Sequence, residues 1–150
     1  MKVVLLIGVI ALAMLSQMGL CQDKSIKLLV SSEKYTFTSF FDGKEFQTEF
    51  TEKDVSKTPS WYPEREEPPI SVNVALERSR KFLGKYVPNP AAWEIESIKY
   101  TAVGKEKWVY VIEFYLDSLS ASNGRSANLA VILKMDGTLF EPKVTTLDKH

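Results

Sequence analysis

Lys107 to Asp117 reads KWVYVIEFYLD. Alternate positions of this run hold Trp108, Tyr110, Ile112, Phe114 and Leu116, and a β-strand sends alternate side chains to opposite faces. The intervening positions hold Val109, Val111 and Tyr115 beside Glu113 and Asp117. A strand with one side in water shows a clean alternation of apolar and polar residues, and this one does not. The run therefore predicts the centre of a sheet. One face meets a helix, and the other face is at least partly covered.

The neighbouring sequence fits that centre. Ala127 to Met135 predicts a strand in which Leu129, Val131, Leu133 and Met135 alternate with Ala130 and Ile132. Trp93 to Val103 predicts a strand on the other side, turning at Gly104-Lys105. Asp136-Gly137 turns into a last strand over Thr138 to Val144. Ser118 to Ser126, with Asn123-Gly124, reads as a polar loop. Before these strands Ser71 has the character of an N-cap. Val72, Ala75, Leu76, Phe82, Leu83 and Tyr86 then fall at helical spacing, with small Ser79 between them. Gly84 and Pro88 close this helix.

Nearer the N-terminus, Ser25 to Val30 is a short β-prone run. Tyr35 to Phe41 and Lys44 to Thr51 flank Asp42-Gly43, a hairpin signal because both turn residues tolerate positive φ. Thr51 to Lys57 suits a short helical turn. The resulting expectation is an α+β fold: one main helix packed on an antiparallel sheet, with an N-terminal β-hairpin extending or flanking it.

Residues 58–70 have a different texture. Thr58 to Pro69, TPSWYPEREEPP, holds four prolines and no clear period, so it should run extended without a regular ladder. Trp61 and Tyr62 lie inside it. Such an aromatic pair serves either as an exposed hook or as an anchor onto the protein's own core, and the area it buries favours the anchor. This strap is the expected cover for the second face of the sheet, because it is already attached and loses no association entropy. A partner or a second copy is the alternative cover. Trp61, Tyr62, Val109, Val111 and Tyr115 are accordingly the candidate binding residues.

The first residues carry a separate message. Lys2 precedes Val3 to Leu15, a run without a polar side chain. It is long enough for the apolar core of a secretory signal and short for a membrane span of about 20 residues. Gly19-Leu20-Cys21 is the expected cleavage site, leaving residues 22–150 as one exported domain, periplasmic or extracellular, with no membrane association. Cys21 is the only cysteine, so an internal disulfide is excluded and the fold must rest on its core. Lys and Arg number 19, as do Asp and Glu, and the two signs are interspersed. Without a basic stripe, nucleic-acid binding is not expected.

Composition also removes most chemistries. The single histidine is His150, the last residue, which is poorly placed for a catalytic triad. Phosphate loops and glycine-rich dinucleotide motifs are missing, and the acids lack EF-hand spacing. No metal and no cofactor is expected. Carboxylate chemistry stays open: Glu94 and Glu96 alternate along one strand, and Glu113 and Asp117 share a face of the central one. Paired acids can hydrolyse a glycosidic bond, although acids on the outer face of a sheet are commonplace.

Three segments, VNVALERSRKFL (Val72–Leu83), KWVYVIEFYL (Lys107–Leu116) and AVILKMDGTLFEP (Ala130–Pro142), come in the order helix, strand, strand-turn. With the strand before them, over Ser71 to Pro142, this order resembles the PepSY family of exported bacterial domains and the cystatin-like arrangement of a helix on an antiparallel sheet. The resemblance implies a non-catalytic module of the bacterial envelope or extracellular space, some of whose relatives are thought to inhibit proteases. The expected function is therefore binding of a protein or peptide. The alternatives are a carboxylate-dependent hydrolase of extracellular or envelope polysaccharide and a carrier of a small apolar ligand.

Overall fold

The computed structural model describes residues 27–30, 34–117, 119 and 126–147. The expected signal segment, the Asn123-Gly124 loop and His150 lie outside the described residues. The elements run β1 (Lys27–Val30), β2 (Tyr35–Phe41), β3 (Lys44–Phe50), α1 (Glu52–Val55), α2 (Val72–Leu83), β4 (Glu94–Ala102), β5 (Trp108–Leu116), β6 (Ala127–Lys134) and β7 (Lys143–Thr146), with a 3-10 turn at Pro90–Ala92. All seven strands join one sheet of order β4-β5-β6-β2-β3-β7, and β1 pairs with β2. Every pairing is antiparallel.

This overturns the α+β expectation. The described chain is mostly antiparallel sheet, with a single helix of more than one turn. The hairpin is no flanking appendage, because Phe40 of β2 pairs with Asn128 of β6 and so links both halves of the sheet. The C-terminal segment also leaves the helix-side arrangement. Leu139 makes one bridge to Leu133, and the chain then crosses to pair Lys143–Thr146 with β3. Pro142 stands immediately before that strand and has no N–H to give a ladder, so the expected continuous strand over 138–144 is broken there.

The hairpin turn takes the backbone its sequence favours. Asp42 and Gly43 have φ of 51° and 67°, the positive values of a tight two-residue connection. Register follows: Ser39 faces Phe46, Phe37 faces Thr48 and Tyr35 faces Phe50. α2 starts at Ser71, whose Oγ accepts the Val74 N–H at 3.3 Å. It buries Ala75, Ser79, Phe82 and Leu83 against the sheet. Its outer side sends Arg78 to the Gly137 carbonyl at 2.9 Å. Gly137 has φ of 81°, a backbone that favours glycine, and an added Cβ would also push the Arg78 guanidinium off its carbonyl.

Two cores result. The helix-side core joins Phe82, Leu83 and Ala75 to Tyr110, Ile112, Phe114, Leu129, Val131 and Leu133, with Trp61 and Trp93 at its margins. Behind the sheet a second core holds Val109, Val111 and Ile132 with Phe37, Phe50, Val55 and Val103. The cover of the second face is thus α1, the open end of the hairpin and Phe140, and not the proline-rich strap. Phe50 is the centre of this cover. Its ring stacks on Tyr35 at 5.3 Å, on Phe37 at 6.0 Å and on Phe140 at 4.5 Å. The inner row of the hairpin serves both cores: Phe46 and Phe41 reach the helix side, Phe37 and Phe50 the other. Strand twist carries one row of side chains from one core to the other.

Two substitutions test this packing. Phe50→Ala should lower unfolding free energy by about 3–5 kcal/mol, the range for a buried Phe, as measured by urea denaturation. Ser79 is fully buried, and its Oγ has no hydrogen-bond partner. Ser79→Ala removes that unmatched group while keeping the small volume, so the same measurement should show stability unchanged or raised by about 1 kcal/mol.

Candidate functional site

Trp61 locates the site. Its indole is 5% exposed and rests at 4.7 Å from the Tyr100 ring and 5.5 Å from the Trp108 ring. Tyr100 in turn lies 4.8 Å from Tyr110, its register partner across β4 and β5. Trp61 therefore extends the aromatic row of the sheet beyond its end. An indole N–H needs a partner when buried, and Trp61 Nε1 donates to the Glu66 carbonyl at 2.9 Å. The Tyr62 N–H donates to Glu66 Oε1 at 3.0 Å, and the amides of Arg65 and Glu66 return to the Tyr62 carbonyl. Residues 61–66 thus close on themselves as a compact knuckle.

The strap is tied down at both ends. Thr58 is buried, its Oγ1 donates to the Val55 carbonyl, and its own carbonyl accepts from Lys107 Nζ. At the far end the Tyr110 hydroxyl donates to the Ile70 carbonyl at 2.6 Å. Between them the Trp61 N–H donates to the Glu106 carbonyl at 3.1 Å. Glu106 sits in the β4–β5 turn with φ of 64°, a left-handed conformation that costs a non-glycine residue on the order of 1 kcal/mol. The bond from the strap helps to hold it there.

Between knuckle and turn lies an open cleft of about 390 Å³. Trp61, Tyr62, Pro63, Glu64 and Arg65 form one wall, and Glu106 and Trp108 form the other. Tyr62 is 40% exposed, in contrast to Trp61. The Glu106 carboxylate across the cleft favours the protonated Tyr62 phenol and is the chief cause that raises its pKa above the ordinary 10.0. The Arg65 guanidinium carbon stands 5.9 Å from the centre of the Tyr62 ring, within the range of a cation–π contact. The cleft thus combines aromatic faces, two carboxylates and one cation.

The five residues singled out from sequence divide between two places. Trp61 and Tyr62 belong to the cleft. Val109 and Val111 are fully buried in the second core, and Tyr115 lies on that same face of β5, its hydroxyl 3.3 Å from Asp117 Oδ1. Trp108, read as core, also lines the cleft, while Glu64, Arg65 and Glu106 carried no sequence signal for it. Glu106 comes beside Tyr62 only through the strap's path, so neither spacing nor periodicity points to it.

Three of the four weighed carboxylates, Glu96, Glu113 and Asp117, are engaged elsewhere. Glu113 accepts from Lys99 Nζ at 2.9 and 3.0 Å and from the Ser97 hydroxyl. Glu96 accepts from Asn128 Nδ2 at 2.6 Å. Among the described residues no group of three His, Cys, Asp or Glu side chains converges to hold a metal ion. No protein-family model matches the chain, and no curated protein or solved structure does.

The influence of Glu106 on Tyr62 has a pH signature. A phenol whose pKa is raised by folding contributes its stability fully below the ordinary value of 10.0 and loses it as pH rises through the raised one. Ring-labelled tyrosine followed by NMR should show Tyr62 titrating above the ordinary value in the wild type and closer to it in Glu106→Gln. An unchanged Tyr62 titration in that variant would mean that Glu106 does not act on the phenol in solution.

Proposed function

We propose that this protein is a non-catalytic binding module that takes a segment of a protein or peptide into the cleft between the strap and the β4–β5 turn. The observation that carries the reading is the exposed Tyr62 beside a partly buried Trp108, held over a base bonded to the sheet. Aromatic side chains with few rotatable bonds give large contact area at small entropic cost, which is why they dominate recognition surfaces. The floor is preorganised. Trp61 is buried, the strap is bonded to the sheet at Thr58, Trp61 and Ile70, and binding need not order it.

Polar groups at the rim serve the same end. Glu64, Arg65 and Glu106 stand beside the rings and can match backbone amides or side chains of an extended segment. The order α2-β4-β5-β6, which carries the resemblance to PepSY domains, agrees with a binding role. Export would place this module in the envelope or outside the cell, where its partner would be met.

Selection from a displayed library of random peptides tests the proposal. Peptides enriched on the wild-type chain should lose at least about ten-fold in affinity to Tyr62→Ala, the weight of one well-used aromatic contact. The thermal midpoint of that variant should be nearly unchanged, since Tyr62 is a surface residue. Peptides that bind both chains equally, or no enrichment over an unrelated protein, would overturn the reading.

A further inference from the structure

Resting on the cleft's role as a peptide site, we infer that it selects a cationic side chain, an arginine or lysine of the partner, and that Arg65 holds that place in the free protein. Three features of the cleft converge on a positive charge. Tyr62 and Trp108 line the cleft with aromatic rings, whose quadrupoles attract cations. Glu64 and Glu106 add two carboxylates to the same walls. Among the described residues the ion pairs are Lys34–Glu49, Lys85–Glu141 and Lys99–Glu113, so neither cleft carboxylate is neutralised by a salt bridge.

The independent observation is the protein's own occupant. Arg65 lies over the Tyr62 ring at 5.9 Å, on an exposed knuckle whose backbone is fixed by bonds that do not involve its side chain. A guanidinium is already accepted at this ring. Its stem leaves from the strap itself, so the guanidinium can swing outward into water without disturbing Trp61. An incoming arginine would replace like with like and add the contact of its neighbouring residues. Glu106 is held at the cleft through its backbone, since its carbonyl accepts the Trp61 N–H at 3.1 Å.

The test uses three probes on the full chain: a blocked Ala-Arg-Ala peptide, the same peptide with citrulline for arginine, and methylguanidinium. Binding is read from NMR shifts of the Trp61 and Trp108 indole N–H signals. The arginine peptide should shift both and bind roughly ten-fold tighter than its uncharged analogue. Arg65→Ala should tighten the arginine peptide roughly two- to five-fold, the weight of an exposed cation–π contact that no longer competes. Glu106→Gln should weaken it. Equal binding of the arginine and citrulline peptides would overturn cation selection and leave the peptide site standing. Methylguanidinium binding as tightly as the peptide would uphold the cation and overturn the peptide reading. Indole signals that none of the three probes moves would overturn both. Arg65→Ala lies on the surface and should leave the fold unchanged, which the indole spectrum of the free variant reports directly.

Discussion

Val109 and Val111 on one side of β5, and Tyr110, Ile112 and Phe114 on the other, all have to be kept from water at once. A single helix shields only the second of these rows. The chain answers with material from three distant segments: Val55 from α1, Phe37 and Phe50 from the hairpin, and Phe140 from the segment after β6. Much of the remaining topology follows from that demand. The hairpin must join the sheet and reach around it, and the C-terminal segment must cross to β3 after leaving Phe140 on the second core. Hydrophobic burial on both faces also explains how a chain without an internal disulfide holds a sheet of seven strands.

With the second face closed by other parts, the strap is free to work on the helix side. Its Trp61 takes the end of an aromatic row begun by Tyr110 and Tyr100, and its backbone bond to Glu106 secures a turn residue in an unfavourable conformation. Strain of this kind persists where surrounding contacts over-determine it, and such places often serve recognition. Here the same tie that holds the turn also creates the cleft: without it Tyr62 and Trp108 would belong to separate surfaces.

Local features could be read from the sequence. Asp42-Gly43 announced the hairpin, Ser71 the start of α2, and the alternation over Trp108 to Leu116 the two-faced strand. Trp61 and Tyr62 could be picked out because they interrupt a proline-rich stretch. What escaped was set by contacts between distant positions. The strap's side of the sheet depends on where the chain turns after α1, which no periodicity records. Phe140 follows Asp136-Gly137 and reads equally well as the next strand residue or as a plug for the second core. Val109 and Val111 looked like a possible docking surface because an apolar face in sequence does not name its cover. Counting the helix as a full layer led to the α+β expectation, whereas α2 buries only four residues and the strands dominate.

The lone register pair between Phe40 and Asn128 has a bearing on how the molecule assembles. The β2–β3, β4–β5 and β5–β6 pairings each close a short loop, and α2 lies next to β4 in the chain. These can form early, because little entropy is lost in bringing their ends together. Joining hairpin to β6 closes a loop across most of the domain, and pairing β3 with β7 closes a still longer one. Both long-range steps come with few register pairs of their own: one in the first case and four in the second. Their driving force is the stacking of Phe50 on Phe140 and the filling of the second core. The kinetic barrier should therefore be governed by late docking of aromatic rings, and a nascent chain would keep its second face wet until Phe140 had been made.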